Sequence, residues 1–155
     1  MEYHIRHLPG KDWDLAMQLA WDTFLMYEAP DYEPEGSRHF HEFVKGSELK
    51  NMFAMGEYRA WGAYDDEDVL VGILGIRKHW HISLLFVESR LHHQGIATRL
   101  LKQAFTEARS EGVETLTVFS SPYAVPFYHR IGFTDTDHEK TTDGIRYTPM
   151  SIELF

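Results

Sequence analysis

Residues 81–112 have the sequence HISLLFVESRLHHQGIATRLLKQAFTEARSEG and combine two hydrophobic patterns within one short stretch. The first seven residues are almost continuously apolar, which is typical of a central strand covered on both faces. Beyond the turn, apolar side chains recur at helical spacing from Ala97 to Ala108, which predicts an amphipathic helix that ends at Gly112. Residues 115–120 are strand-like again, and such a strand–helix–strand crossover predicts a parallel pair of strands.

The segments before this stretch predict one strand and two helices. Residues 2–8 form the strand, and either Asp12 or Asp14 caps the first helix. The apolar side chains of that helix fall at helical spacing: Trp13, Met17, Ala20, Trp21, Phe24 and Leu25. Residues 28–36 are rich in proline and carboxylates and predict a loop, after which residues 37–49 predict a second, shorter helix.

The remaining segments complete a mixed sheet. Residues 58–64 and 69–76 are strand-like and are joined by an acidic turn at 65–68. A short helix is predicted at 124–131, and two closing strands, 137–142 and 145–154, meet at the hairpin turn Asp143-Gly144. We therefore expect an α/β fold with six or seven strands, mostly antiparallel, and helices on both faces of the sheet.

Length, composition and charge limit the classes of protein to consider. A chain of 155 residues without internal repeats or linkers is expected to form a single domain over 1–155. The absence of cysteine excludes disulfides, thiolate metal sites and an acyl-cysteine intermediate. A net charge of −9 disfavours binding to nucleic acid or to an anionic membrane. The N-terminal residues lack a secretion signal and no apolar run approaches about 18 residues, so we expect a cytoplasmic location.

The turn between the apolar strand and the amphipathic helix has the features of an anion site. A helix N-terminus exposes unpaired backbone N–H groups and carries a partial positive charge. Gly95 lets the backbone approach a phosphate closely, and Ala97 is also small. No acidic residue lies between Glu88 and Glu107. The basic side chains in this window are Arg90, His92, His93, Arg99 and Lys102. Because cations near a helix N-terminus oppose the helix dipole, an anionic ligand accounts for them.

Two motifs together resemble the GNAT N-acetyltransferase superfamily. The loop His92-His93-Gln94-Gly95-Ile96-Ala97 is similar to the family's Arg/Gln-x-x-Gly-x-Gly/Ala loop, which grips the coenzyme pyrophosphate. Further along, Phe127-Tyr128 followed by Gly132-Phe133 resembles the second motif. Two positions depart from the family pattern, because His92 stands where Arg or Gln is usual and Ser121 where Asn is frequent. The resemblance extends over essentially the whole chain and implies a GNAT fold with a splayed central strand pair.

The resemblance also implies acetyl-CoA as co-substrate and indicates which residues hold it. In the family, the strand before the loop pairs through its backbone with the pantetheine arm, and a backbone N–H there polarises the thioester carbonyl. The residues expected to bind the coenzyme are Leu85, Phe86, Val87, His92, His93, Gln94, Gly95, Ile96, Ala97, Thr98, Ser121, Phe127 and Tyr128.

The implied reaction moves an acetyl group directly to a primary amine of a small molecule or peptide. Tyr128 matches the family's general acid, and a tyrosine with an ordinary pKa near 10 stays protonated at neutral pH. An alkylamine with a pKa near 10 must lose a proton before attack, and the candidate bases are His81, Glu88 and Glu28.

The segment between the first two helices usually lines the acceptor site in this family. Here it offers Tyr27, Glu28, Asp31 and Tyr32, a combination of aromatic rings and carboxylates that suits a cationic amine. A polyamine, an aminoglycoside and a lysine side chain all fit that description. Closing strands often make dimer contacts in such folds, so the resemblance also allows a homodimer.

Two other classes of protein compete with this interpretation. One is a protein of the same fold that binds acyl-CoA without catalysis. The other is a histidine-based metal module, because His39-x-His41 and His79-x-His81 would each place two imidazoles on one face of an extended chain. No third ligand follows at a diagnostic spacing, and we expect no metal.

Overall fold

The computed structural model describes residues 2–155. Its helices are α1 (Trp13–Tyr27), α2 (Pro34–Lys45), α3 (Ser47–Ala54), α4 (Ile96–Ser110) and α5 (Val125–Ile131). Its strands are β1 (His4–His7), β2 (Arg59–Tyr64), β3 (Leu70–Arg77), β4 (His81–Val87), β5 (Thr115–Ser120), β6 (Thr134–Asp135), β7 (Lys140–Thr142) and β8 (Ile145–Glu153). In this part of the chain, no helix is both long enough and apolar enough to cross a bilayer.

One sheet contains all eight strands, in the order β1-β2-β3-β4-β5-β8-β6 with β7 paired to β8. Only β4 and β5 run parallel, as the strand–helix–strand crossover predicts, and the other pairs are antiparallel. The predicted mixed, mostly antiparallel sheet is confirmed. The expected number of six or seven strands is wrong, because the two-residue β6 is too short to produce a hydrophobic pattern of its own.

Helices cover both faces of the sheet, as expected. On one face, Leu100 and Leu101 of α4 share a buried apolar cluster with Leu74 of β3 and Leu116 of β5. On the other face, α1, α2 and α3 pack in a second cluster, where Phe24 of α1 lies close to Leu84 of β4. Each cluster buries large aliphatic and aromatic side chains, and this burial is the main stabilising contribution to the fold.

The single second helix predicted at 37–49 is wrong. The chain forms α2 and α3 instead, and between them Gly46 has an extended backbone with φ −76° and ψ 172°. A Cβ atom at Gly46 would lie 2.5 Å from the carbonyl oxygen of Glu42, so a larger residue does not fit this break. The predicted loop 28–36 is also too long, because Pro34 occupies the first turn of α2, where its missing N–H costs nothing.

Two further boundaries differ from the predictions. The closing strand expected at 137–142 begins only at Lys140. In α1, Trp13, Met17 and Phe24 are buried as expected, but Leu25 is 46% exposed. Leu25 is turned by about 100° from Phe24 around the helix axis, which carries it past the edge of the buried face.

The separation of β4 from β5 creates the space for a site. Along β3, the register of β4 shifts between Gly75 and Ile76, which leaves Ser83 as an extra residue in a β-bulge. β5 pairs with β4 only at His81 and Ile82, immediately before this bulge. Because a bulge bends its strand and increases the local twist, the two strands diverge from there. This is the expected splayed pair.

Candidate active site

A cavity of about 500 Å³ lies where β4 and β5 separate. Its walls come from the end of β4, the first turn of α4, α5 and the C-terminal end of α1. The lining residues among those expected to bind the coenzyme are Leu85, Phe86, Val87, His92, His93, Gly95, Ile96, Ala97, Thr98, Phe127 and Tyr128. Two motifs that are distant in sequence therefore meet at one cavity, whose volume is typical of ligand sites.

Gly95 connects the loop to α4 in a conformation that favours glycine. Its φ is +79°, in the left-handed region, and a Cβ atom there would meet no heavy atom within 4 Å. The first turn of α4 contains no acidic residue, and Ala97 and Thr98 line the cavity. The helix thus begins beside an open space with its backbone N–H groups free for an anion.

His92 has a different role from the phosphate contact that its position in the motif predicts. Its Nε2 atom lies 2.7 Å from the backbone oxygen of Val87. Because a carbonyl oxygen only accepts, Nε2 donates this hydrogen bond and is not free for a phosphate. The ring also packs 4.6 Å from Tyr27, and Nδ1 lies 3.5 Å from the Tyr123 hydroxyl. His92 therefore joins three walls of the cavity through Val87, Tyr27 and Tyr123.

Gln94 and Ser121 do not line the cavity, although both were expected to bind the coenzyme. The Gln94 amide oxygen accepts a hydrogen bond from the Tyr3 hydroxyl at 3.1 Å. Ser121 is buried and accepts a hydrogen bond from the backbone N–H of Ala124 at 3.3 Å.

Arg130 is a cavity-lining cation that the sequence reasoning missed. It lies three residues after Phe127 on α5, and residues at i and i+3 lie on one side of a helix. This spacing from an expected coenzyme-binding residue could have predicted the position of Arg130. Among the basic residues noticed earlier, Arg90 is paired with Glu88 at 2.5 Å. Within residues 2–155, Arg130 makes no ion pair.

Glu28 is the carboxyl group that the fold brings to the cavity. It follows directly after α1 and is half-buried in the wall of the cavity. Burial raises the pKa of Glu28 to about 8, a hydrogen bond from Ser121 opposes this rise, and the charge of Asp31 adds to it. A carboxyl group with this pKa exchanges protons near neutral pH, which suits a general base.

Tyr128 lines the same cavity as Glu28 and is only 4% exposed. Burial raises the pKa of the Tyr128 hydroxyl well above its ordinary value of 10, and the charge of Glu28 raises it further. The hydroxyl therefore stays protonated at neutral pH and is available as a donor. The ring packs against Phe133 at 5.1 Å and Phe127 at 5.2 Å, which fixes its orientation.

The structure does not bring His81 to the cavity. His81 lies at the paired end of β4, four residues and about 13 Å along the strand from Leu85. Its Nδ1 atom lies 2.8 Å from the Thr117 hydroxyl, and its ring meets Phe119 edge-on at 4.5 Å. Burial lowers the pKa of His81 to about 4, with a further contribution from Arg77, so the ring is neutral at pH 7.

Glu88, Asp31 and Tyr32 also lie outside the cavity lining. Glu88 lines a separate groove and is paired with Arg90. Asp31 lies 3.7 Å from Arg146 of β8. Tyr32 packs edge-on against Phe24 at 5.2 Å, as part of the apolar cluster under α1. Of the three candidate bases, only Glu28 lines the same cavity as Tyr128.

Neither histidine pair forms the extended arrangement on which the metal alternative rests, since in the second pair His79 has a left-handed backbone with φ 63°. His39 and His41 lie on α2, where His41 contacts Trp21 at 4.7 Å and His39 contacts Glu35. Across residues 2–155, one cluster has three side chains close enough to share an ion: Glu35, His39 and Asp143, all exposed.

The raised pKa of Glu28 predicts a pH-dependent effect on stability. The folded state holds the proton up to about pH 8, whereas an unfolded glutamate releases it near 4.5, so stability falls as the pH rises from about 4.5 to 8. Glu28→Gln is expected to match the wild type at pH 4 and to be more stable at pH 8.5, by on the order of a few kcal/mol. Urea unfolding at both values measures this. An equal difference in unfolding free energy between the two proteins at both pH values would show that the carboxyl group is not desolvated.

Comparisons with known proteins agree with this geometry. A family model of the GNAT acetyltransferase domain matches residues 28–154. An acetyltransferase from Agrobacterium fabrum is 38% identical over 77 residues, which cover 45% of this chain and 53%, about half, of that relative.

Two solved structures share the fold. A GCN5-related N-acetyltransferase from Rhodopseudomonas palustris has a TM-score of 0.84 at 18% identity and covers 99% of this chain and 96% of its own. A PaiA N-acetyltransferase from Thermoplasma acidophilum, in complex with coenzyme A, has a TM-score of 0.79 at 19% identity and covers 99% of each chain. Because the family model spans most of the sequence, including both motifs and Glu28, the chain belongs to the GNAT acetyltransferase family.

Proposed function

We propose that this protein is an acetyl-CoA-dependent N-acetyltransferase that acts on a primary amine of a small molecule or peptide, and that residues 1–155 form its single catalytic domain. One observation carries the proposal. The cavity between β4 and β5 is lined by an open helix N-terminus, by the end of β4, which has no β5 partner, and by Glu28 and Tyr128. An anion site, an acyl site and two proton-transferring groups thus share one space.

The residues present fit the coenzyme. Gly95 and the first turn of α4 offer backbone N–H groups to the pyrophosphate, and Arg130 adds a positive charge. The β4 backbone at Leu85 and Phe86 has no partner on β5, which supports pairing with the pantetheine arm. When bound, acetyl-CoA supplies an acetyl group activated as a thioester.

Glu28 is the group that we expect to remove the proton of the amine. Transfer from an ammonium with a pKa near 10 to a carboxylate with the ordinary pKa of 4.5 is uphill by about 7 kcal/mol. With the pKa of Glu28 at about 8, the same transfer is uphill by about 3 kcal/mol. The burial that destabilises the carboxylate therefore makes it a stronger base.

Tyr128 supplies the proton that the leaving group needs. As the amine nitrogen bonds to the acetyl carbon and the carbon–sulfur bond breaks, the Tyr128 hydroxyl donates its proton to the departing sulfur, and the resulting tyrosinate takes up the second proton that the nitrogen loses. Backbone N–H groups on the free side of β4 donate to the acyl oxygen. Glu28 and Tyr128 line the same cavity, so the first proton of the amine goes to Glu28 and the second restores the Tyr128 hydroxyl within one space.

A thiol-release assay with acetyl-CoA and a panel of amines tests the proposal. The panel contains linear polyamines, aminoglycosides and lysine peptides, each compared with its fully N-methylated counterpart, which has no transferable N–H. We expect release of free thiol that depends on a primary amine. If coenzyme A binds but no amine gives turnover, the protein is a non-catalytic acyl-CoA-binding member of the fold.

The helix start predicts a specific loss of coenzyme affinity in Gly95→Ala. The alanine is strained by about 1 kcal/mol at φ +79°, and the loop must shift to relieve it, so the Kd for coenzyme A should rise about tenfold. Gly112→Ala is the matched control, because Gly112 has φ +78° and equally open surroundings just past the other end of α4. Both variants should lose similar stability, but titration calorimetry should find a weaker Kd only in Gly95→Ala. Equal Kd values would contradict the phosphate role of this turn.

A further inference from the structure

A groove of about 580 Å³ follows α1 beside the cavity. Six residues of α1 line it, namely Leu15, Gln18, Leu19, Asp22, Thr23 and Met26. Their spacing of three and four residues makes up one complete face of the helix, about 16 Å long over three turns. The opposite wall includes Val69 and Leu70 at the start of β3.

Large apolar side chains in this groove face solvent. Leu15 is 61% exposed, Met26 58% and Val69 48%. Single exposed apolar residues are normal on a protein surface, but a group of them within one concave surface marks an interaction site. A groove of this kind can bind an amphipathic helix of a partner, whose apolar side chains, spaced one turn apart, enter the groove.

The charged side chains that line the groove have one sign, and Lys45 contacts only the amide oxygen of Gln18 from outside it. Four carboxylates line it, those of Asp12, Asp22, Asp68 and Glu88, and none of the lining residues is a cation. Two of these carboxylates are paired with arginines that do not line the groove: Asp68 with Arg6 at 2.8 Å, and Glu88 with Arg90. Asp12 and Asp22 accept hydrogen bonds only from neutral groups, the hydroxyl of Tyr64 and the amide of Gln18. In the described part of the chain, neither of these two carboxylates has an ion-pair partner.

The groove and the cavity share a wall. Thr23 lines both spaces. Met26 and Glu88 line the groove, and their chain neighbours Tyr27 and Val87 line the cavity. A molecule held in the groove therefore lies next to a wall of the cavity that contains the catalytic groups.

We propose that this groove docks a basic amphipathic helix of a polypeptide acceptor, whose lysine is acetylated in the adjacent cavity. The acceptor part of this inference rests on the proposed function. Leucine-like side chains of the helix bury Leu15, Met26 and Val69, and its lysines or arginines meet Asp12 and Asp22. A second copy of this chain does not fit, because its net charge of −9 repels an acidic rim. A free polyamine matches the charge but covers little of the apolar surface.

The test uses a fluorescent synthetic peptide with leucine at i, i+3, i+4 and i+7 and lysine at the other positions, with its binding followed by anisotropy in the absence of acetyl-CoA. We expect a Kd about tenfold tighter than that of a scrambled peptide of the same composition. Met26→Ser and Asp22→Lys should each weaken binding about tenfold. Their matched controls are Met55→Ser, at a side chain 72% exposed outside the groove, and Asp66→Lys, on the acidic turn; both should leave the Kd unchanged.

Equal affinity for the scrambled peptide would mean that binding is attraction by net charge, and it would overturn the proposal. Equal losses of affinity in the control variants would show that binding does not depend on the groove, and they would overturn it as well. With acetyl-CoA present, Met26→Ser and Asp22→Lys should raise the KM for the peptide and leave acetylation of a small amine unchanged. A lower affinity without a change in that KM would overturn the acceptor role. If no amine is acetylated while the binding pattern holds, the docking site stands and the proposed catalytic function fails.

Discussion

Glu28→Gln is expected to lower kcat/KM for a primary amine by about 100- to 1000-fold, the usual contribution of a general base. Glutamine keeps the size of the side chain and an oxygen that accepts the hydrogen bond from Ser121, but it cannot take up a proton. The measurement is the initial rate of thiol release at saturating acetyl-CoA. A variant that retains wild-type kcat/KM would exclude Glu28 as the base.

The pH dependence gives this prediction a definite sign. A base acts in its ionised form, and the pKa of Glu28 is about 8, so the Glu28 contribution to kcat/KM should grow as the pH rises through 8. The ionisation of the amine affects both proteins equally, so the ratio of the wild-type kcat/KM to that of Glu28→Gln isolates the contribution of Glu28. The pKa of His81 is about 4, so a contribution from His81 would instead be complete well below pH 7. A ratio that is constant between pH 6.5 and 9 contradicts the assignment to Glu28.

Glu88→Gln provides the matched control, because it makes the same substitution at another candidate base. Glu88 pairs with Arg90 and lies in the groove, outside the cavity. Its replacement should change kcat/KM by no more than about twofold, as is usual for an exposed side chain. A loss as large as that of Glu28→Gln would move the base to Glu88.

The parts of the fold that could be predicted are those with a strong local pattern. The run from His81 to Val87 and the helical repeat in α4 are set by contiguous residues, and both elements form as expected. The break at Gly46 was missed although glycine after a basic last turn is a helix-stop signal, the same signal that correctly ends α4 near Gly112. Pro34 was misleading for a different reason, since a proline at the start of a helix has the same composition signal as a loop.

The candidate site also has residues that could be predicted from the sequence and residues that could not. Gly95 and its neighbours were found because one short motif contains both the turn and the helix start. Glu28 as a base could not be singled out, because its raised pKa comes from burial and from the charge of Asp31, which only the folded chain provides. His92 shows the converse case. Its place in the motif predicts a phosphate contact, but the curvature of the loop brings its ring to the Val87 carbonyl.

Tyr128→Phe is expected to lower kcat by about 100-fold or more, because it removes the proton that the departing sulfur needs. Burial and the charge of Glu28 keep the pKa of Tyr128 high, so the wild-type hydroxyl remains a donor over the whole neutral range. Phenylalanine keeps the ring contacts with Phe127 and Phe133, so the fold and the cavity should persist. Steady-state kinetics and thermal unfolding of the same preparation measure both effects.

The division between kcat and KM decides whether Tyr128 is an acid or a packing residue. Loss of an interaction made only in the transition state lowers kcat and kcat/KM equally and leaves KM unchanged. Loss of packing in the wall of the cavity would raise the KM for acetyl-CoA and lower the midpoint of unfolding instead. Tyr123→Phe is the matched control, since Tyr123 lines the same cavity but is 46% exposed and has its hydroxyl 3.5 Å from His92. Its kcat should stay within about threefold of the wild type, and an equal loss in both variants would mean that neither hydroxyl is the specific proton donor.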